Sequence, residues 1–139
     1  MSKACFQAIW QIITSGHWIT DQVTLALKPL GTTEPQYNVL RILQAAKGEP
    51  VAAQEILEGM VQRSSNITRI VDKLVAKGLL ERKECPTNRR KMDISLAPLG
   101  QAKLQEMDAS VHAFHQAYYE KMDNEELETL KKLIQKLRS

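Results

Sequence analysis

Apolar residues in this chain recur first at helical spacing, then at alternate positions, then at helical spacing again. Over 4–27, Phe6, Ile9, Trp10, Ile13, Gly16, Thr20, Val23 and Leu27 follow steps of three and four, one face of a long helix. Ile12, Ile19 and Leu25 lie partly outside that stripe, a breadth that suits more than one neighbour, a second subunit among them. Lys28-Pro29-Leu30-Gly31 ends the helix, because proline cannot continue the backbone bonding and glycine permits the turn. Thr33-Glu34-Pro35-Gln36 reads as the next start, with threonine as cap and glutamine completing a capping box. The helix over 35–46 turns Tyr37, Leu40 and Leu43 inward, and Lys47-Gly48-Glu49-Pro50 breaks it. A short helix over 52–59 then buries Ala53, Ile56, Leu57 and Met60.

A further helix is expected from Ser64 to Lys77. Ile67, Ile70, Val71, Leu74 and Val75 make its face the strongest amphipathic signal in the chain, and Gly78 closes it as a left-handed cap. The short helix, tight turn and second helix have helix-turn-helix proportions. Beyond Gly78 the period falls to two: Met92, Ile94 and Leu96 alternate with Asp93 and Ser95. With the turn-rich Cys85-Pro86-Thr87-Asn88, this predicts a hairpin carrying Arg89 and Arg90 at or beside its tip. Helices over 101–122, with Leu104, Met107, Val111, Phe114 and Tyr118, and from Asp123 onward, with Leu127, Leu130, Leu133, Ile134 and Leu137, complete the chain. Asp123 and Glu126 have capping-box spacing. The expected fold is mainly α with a small β-hairpin wing, a winged helix-turn-helix flanked by N- and C-terminal helices in a single domain of 139 residues.

Charge sharpens this picture. The window 61–91 holds nine basic residues against three acidic ones, a net of +6, while the other ten basic and thirteen acidic residues leave −3. One basic module in an otherwise acidic chain is the electrostatic footprint of a polyanion binder, although a solvated charged face would look the same. No apolar run approaches the roughly 18 residues of a membrane span, and the first residues lack the apolar block of a signal peptide, so a cytoplasmic location is expected. Cys5 and Cys85 lack paired spacing and are read as free thiols.

On the 64–77 helix, Ser65, Asn66, Thr68, Arg69, Asp72 and Lys73 face outward. Short donors and acceptors with a guanidinium at a helix N-terminus are what reading a major groove needs, and Ser64 with the helix start could hold a phosphate. The same residues would also suit a capped surface helix. Arginines on a tip one element later can enter the adjacent minor groove, although an edge hairpin also carries charge to prevent sheet aggregation. It is the joint occurrence that favours nucleic acid.

Several segments at the right separations carry a resemblance. The run from Glu34 to Leu43, the run Ser65-Asn66-Ile67-Thr68-Arg69-Ile70-Val71-Asp72-Lys73-Leu74 continuing through Lys77-Gly78-Leu79-Leu80-Glu81-Arg82, and Pro86-Thr87-Asn88-Arg89-Arg90 resemble the second helix, recognition helix and wing of MarR-family regulators. The resemblance covers 33–100 and implies a homodimer. Residues 1–31 and 101–139 would be its dimerisation helices and 33–100 a lobe on a pseudo-palindromic double-stranded operator. It places Ser65, Asn66, Thr68, Arg69, Arg89 and Arg90 at the DNA, to which the helix reading adds Ser64 and Lys73, and suggests that Asp72 pairs with a wing arginine. Release of a repressor by a small-molecule or oxidative signal is the expected mechanism, with Cys5 the candidate redox residue. Two departures concern local geometry: Asn88 stands where the wing tip usually has Asp, and Ala97 removes a threonine cap.

Trp10, Trp18, Phe114, Tyr118 and Tyr119 could line an aromatic effector pocket or be plain core. His112 and His115 share a helix side but are too few ligands for a metal site, and none is assigned. No nucleophile–base pair, phosphate-cradling glycine loop or paired carboxylate is legible, so neither catalytic residues nor a cofactor are expected. The competing reading is a winged-helix protein-interaction module without specific DNA binding.

Overall fold

A computed structural model describes residues 2–61 and 66–139, with Tyr119 described by its backbone alone. Among the described residues, six helices and three strands follow in the order α1 (Lys3–Leu27), a 3-10 turn (Lys28–Leu30), α2 (Glu34–Ala45), β1 (Val51–Ala52), α3 (Ala53–Gly59), α4 (Ile67–Ala76), β2 (Leu80–Cys85), β3 (Asn88–Leu96), α5 (Pro98–Tyr119) and α6 (Asn124–Arg138). Among the described residues no helix is long and apolar enough to cross a membrane.

The core gathers one or two side chains from almost every element. Leu27 of α1, Val39 and Leu40 of α2, Ile56 of α3, Val71 and Leu74 of α4, Ile94 of β3, and Leu104 and Met107 of α5 are fully buried. Of the residues expected inside α3, Ile56 and Met60 are buried and Leu57 partly so, but Ala53 is exposed because it occupies the first position of the helix. The ends of the chain contribute little to this core. Every described residue before Thr20 is exposed, and α6 buries none of its residues.

Most start and stop signals act as read. Thr33 Oγ1 accepts from the Gln36 amide at 3.3 Å, and Asp123 and Glu126 make both halves of a capping box. Gly78, at φ 76°, closes α4 in a Schellman arrangement: its amide donates to Val75 at 2.9 Å and that of Leu79 to Leu74 at 2.9 Å. Three expectations need correction. The Gln36 side chain does not complete a capping box; it is buried, and its Oε1 accepts from Thr32 and Lys77. Helix α4 starts at Ile67 rather than Ser64, because the side chain of Asn66 caps it by accepting from the Arg69 amide at 3.1 Å. Helix α5 starts at Pro98, three residues before the expected Gln101, since proline needs no amide bond at a first helical position.

The hairpin belongs to a three-stranded antiparallel sheet in the order β1-β3-β2. The additional strand is Val51–Ala52, paired Val51 to Ile94 and Ala52 to Asp93. Near the core β2 and β3 are in regular register, from Leu80 opposite Leu96 to Glu84 opposite Met92. The next pair is Cys85 with Asn88. Arg89, Arg90 and Lys91 therefore stand in β3 with no residue opposite them, in a bulge at the head of the wing.

At Leu79 the chain turns from α4 into β2, and α5 begins against the same point. The Ala97 amide donates to the Leu79 carbonyl at 3.0 Å. A Cβ on Gly100 would lie 2.0 Å from that carbonyl oxygen, whereas a Cβ on Gly59 would meet only the Ile42 side chain, at 3.1 Å. Gly100→Ala is therefore expected to cost about 2 kcal/mol or more through forced displacement of backbone, while Gly59→Ala should stay within about 1 kcal/mol. Urea unfolding of the two variants against the parent checks this, and equal losses at both positions would contradict it.

Candidate nucleic-acid interface

Helix α4 divides cleanly by side. Ile67, Val71 and Leu74 go into the core, leaving Thr68, Arg69, Asp72 and Lys73 exposed together. Three- and four-residue spacing makes that separation inevitable once the apolar face is buried. Asn66 shares this end of the helix, but its carbonyl oxygen is engaged as the cap, so the amide NH2 is the part left to address a ligand. Ser64 and Ser65 lie outside the described residues.

The wing stands beside this face, and a charge pair links the two. Asp72 of α4 accepts from Arg82 of β2, an ion pair between an exposed and a part-exposed side chain. The expected acidic partner of a wing arginine is thus present, and the arginine is Arg82, at the foot of the wing rather than its tip. Arg89 and Arg90 are exposed in the bulge at the other end. Asn88 braces that bulge by accepting from the Arg90 amide at 3.0 Å. An aspartate at this position would make the same bond with added negative charge, so the asparagine keeps the brace and leaves the tip more positive.

A second support was not legible in the sequence. Asn38 of α2 accepts from the Val61 amide at 2.9 Å and so holds the chain just beyond α3 against α2. Its partner is 23 positions away, and an asparagine inside a helical pattern gives no local sign of such a role. The same holds for Asp108 of α5, which accepts from the Tyr37 hydroxyl at 2.7 Å and from Arg41 at 3.1 Å, joining α2 to α5.

Of the two thiols, Cys5 is exposed in the first turn of α1. Cys85 sits at the wing tip with Thr87 Oγ1 at 3.3 Å, and this hydrogen bond holds its thiol below the usual range. The described aromatic side chains fall into separate groups. Trp18 meets the Tyr118 ring edge-on at 4.7 Å between centroids, whereas Trp10 stacks near Phe6, about 12 Å further along α1 at helical rise. Tyr119 lies outside the described side chains. A more polar cleft of about 640 Å³ opens between the C-terminal half of α1 and the start of α2, bordered by His17, Asp21, Thr32 and Glu34. Burial raises the carboxyl pKa of Glu34 there.

Comparison with known proteins agrees with this geometry. The sequence profile of the MarR family matches residues 30–91, the stretch from the α1–α2 corner to the wing bulge. A cysteine-to-serine variant of E. coli MarR, solved in complex with operator DNA, is 25% identical, with 91% of this chain and 89% of that one covered and a TM-score of 0.78. CouR from Rhodococcus jostii RHA1, solved with p-coumaroyl-CoA, is 26% identical over 98% of this chain and 95% of its own, with a TM-score of 0.81. AbsC, a MarR family transcriptional regulator from Streptomyces coelicolor, shares the fold at a TM-score of 0.86, with 18% identity over 99% of this chain and 94% of that one. The profile falls on the helix-turn-helix and wing, and the structural likeness to MarR-family regulators extends through the flanking helices.

Proposed function

We propose that this chain is a MarR-family transcription regulator, a homodimeric repressor that binds a pseudo-palindromic operator and is released by a small-molecule or oxidative signal. Residues 33–100 form the DNA-binding lobe, and 1–31 with 101–139 form the dimerisation helices. The observation that carries this reading is the Asp72–Arg82 pair. It holds the exposed face of α4 and the arginine-bearing wing as one unit, so both engage a duplex together. Arg69 and Thr68, with Asn66, Ser65 and Ser64 ahead of them, read base edges or bind phosphate in the major groove, and Lys73 neutralises phosphate. Arg89 and Arg90 serve the adjacent minor groove or backbone.

The dimer is argued from what the single chain leaves uncovered. Phe6 is 58% exposed, Trp10 57%, Leu133 60% and Leu137 57%, all at helical spacing on the first and last helices. Apolar stripes of this extent are found on soluble chains where a partner covers them. Two lobes related by a two-fold axis then meet half-sites about one helical turn apart. For the signal, the CouR relative was solved with p-coumaroyl-CoA, and the cleft bordered by Asp21 and Glu34 is large enough for a small molecule in this chain. An oxidative signal has Cys5 as its candidate residue, with Cys85 the thiol whose ionisation the surroundings favour.

Selection of binding sites from a random duplex library tests the whole reading: an enriched inverted repeat supports it, and salt-sensitive binding indifferent to sequence favours a protein-interaction module instead. On the selected operator, Arg69→Ala is expected to cost about 1–3 kcal/mol and relax preference at the bases it reads, while Arg90→Ala should weaken all sequences alike and lower the salt slope by about one. Parental affinity in both variants would defeat the assignment. Leu133→Glu combined with Leu137→Glu should convert the dimer to monomer in sedimentation and weaken operator binding with it, and a dimer that persists would place the interface elsewhere.

A further inference from the structure

Polar groups from three elements meet at the C-terminal end of α4. Gln36, in the first turn of α2, and Thr32, in the corner before it, are buried at 7% and 9% exposure, the buried polar residues among those described. Gln36 Oε1 accepts from the Thr32 hydroxyl at 3.1 Å and from the Lys77 ammonium at 3.4 Å. Lys77 also donates to the Gly31 carbonyl at 3.3 Å. It is the C-cap residue of α4, so this cluster joins the end of that helix to the corner between α1 and α2.

A buried amide and hydroxyl require partners, and an ammonium supplies the stronger, charge-assisted kind of bond. Lys77 belongs to the basic window by sequence, yet its ammonium is bonded to Gly31 and Gln36 at the end of α4 opposite the cap at Asn66. The consequence is mechanical. A helix of 10 residues is about 15 Å long, so a tilt of about 10° about its anchored end moves the other end by roughly 2.6 Å. That displacement is comparable to a whole hydrogen-bond length, enough to break bidentate base contacts.

We infer that the Thr32–Gln36–Lys77 chain sets the tilt of α4 for base reading, with Gln36 and Lys77 as positioning residues and Lys77 not a phosphate contact. This rests on the DNA-binding reading above. Unlike the wing arginines, Lys77 then affects affinity without affecting the number of counterions released.

The test is affinity of the full-length protein for its selected operator across a salt series, with Lys77→Met, Gln36→Met, the double variant and Gln36→Glu beside the parent. Each single methionine variant is expected to bind roughly two- to thirty-fold more weakly with the parental salt slope. The double variant should be no weaker than the worse single one, because both break the same link. Gln36→Glu keeps the acceptors for Thr32 and Lys77 and should restore affinity to within about twofold of the parent. A salt slope lowered by about one in Lys77→Met, as for Arg90→Ala, would make Lys77 a phosphate contact and overturn the inference. So would parental affinity in both single variants, or losses that add in the double. If Gln36→Met does not unfold cooperatively on heating, Lys77→Met, changed at an exposed position, decides by its slope. Failure of the parent itself to select any duplex would instead sink the DNA-binding reading.

Discussion

The carbonyl of Leu79 is the point through which the helix-turn-helix and wing are assembled. Helix α4 ends beside it in a Schellman turn, β2 leaves from it, and α5 arrives with Ala97 bonded to it and Gly100 in backbone contact. Three elements with different directions are thereby fixed at one residue, and no side chain larger than hydrogen fits at position 100. The direction of the wing relative to α4 depends on this junction, and the Asp72–Arg82 pair then holds the two against each other. An exposed ion pair contributes only about 0–1 kcal/mol. Its importance lies in orientation, with the junction and the core supplying the stability.

What could be read from the sequence was mostly what short-range chemistry decides. Gly78 and Asp123 act at their own helix ends, through partners three to five residues away, and both act as expected. Gln36 has equally good local credentials, but Thr32, four residues before it, and Lys77, 41 residues after it, share its side-chain oxygen. Ser64, Ser65 and Asn66 are all capable caps in succession, and spacing alone does not choose among them. Strand β1 is two residues long, too short for a period, and exists because the edge of β3 offers Ile94 and Asp93 for pairing. The bulge before Met92 is a matter of register between strands, which no pattern within either strand reveals.

The candidate site shows the same division. The outward set on α4 follows from its apolar spacing, and Thr68, Arg69 and Lys73 are indeed exposed together. Asn38 and the Gln36–Lys77 link support that set from behind and were invisible, since these hydrogen bonds join elements 23 and 41 positions apart in sequence. The two ends of the chain pose the opposite problem. Their apolar stripes were plain, but a stripe of that kind does not say whether its own chain or another will cover it, and here its own chain does not.

The bulge has a consequence for how such proteins can diverge. Below it, Leu80, Ile94 and Leu96 keep a regular pairing that anchors the sheet to the core. Above it, Arg89, Arg90 and Lys91 are surplus to the ladder. Residues can therefore be inserted, deleted or exchanged at the head of the wing without sliding a buried side chain to the opposite face of the sheet. Most changes inside a strand carry that penalty. The sheet thus separates the part that must stay the same for folding from a head that is free to vary, and a change of sequence there need not cost a refolded core.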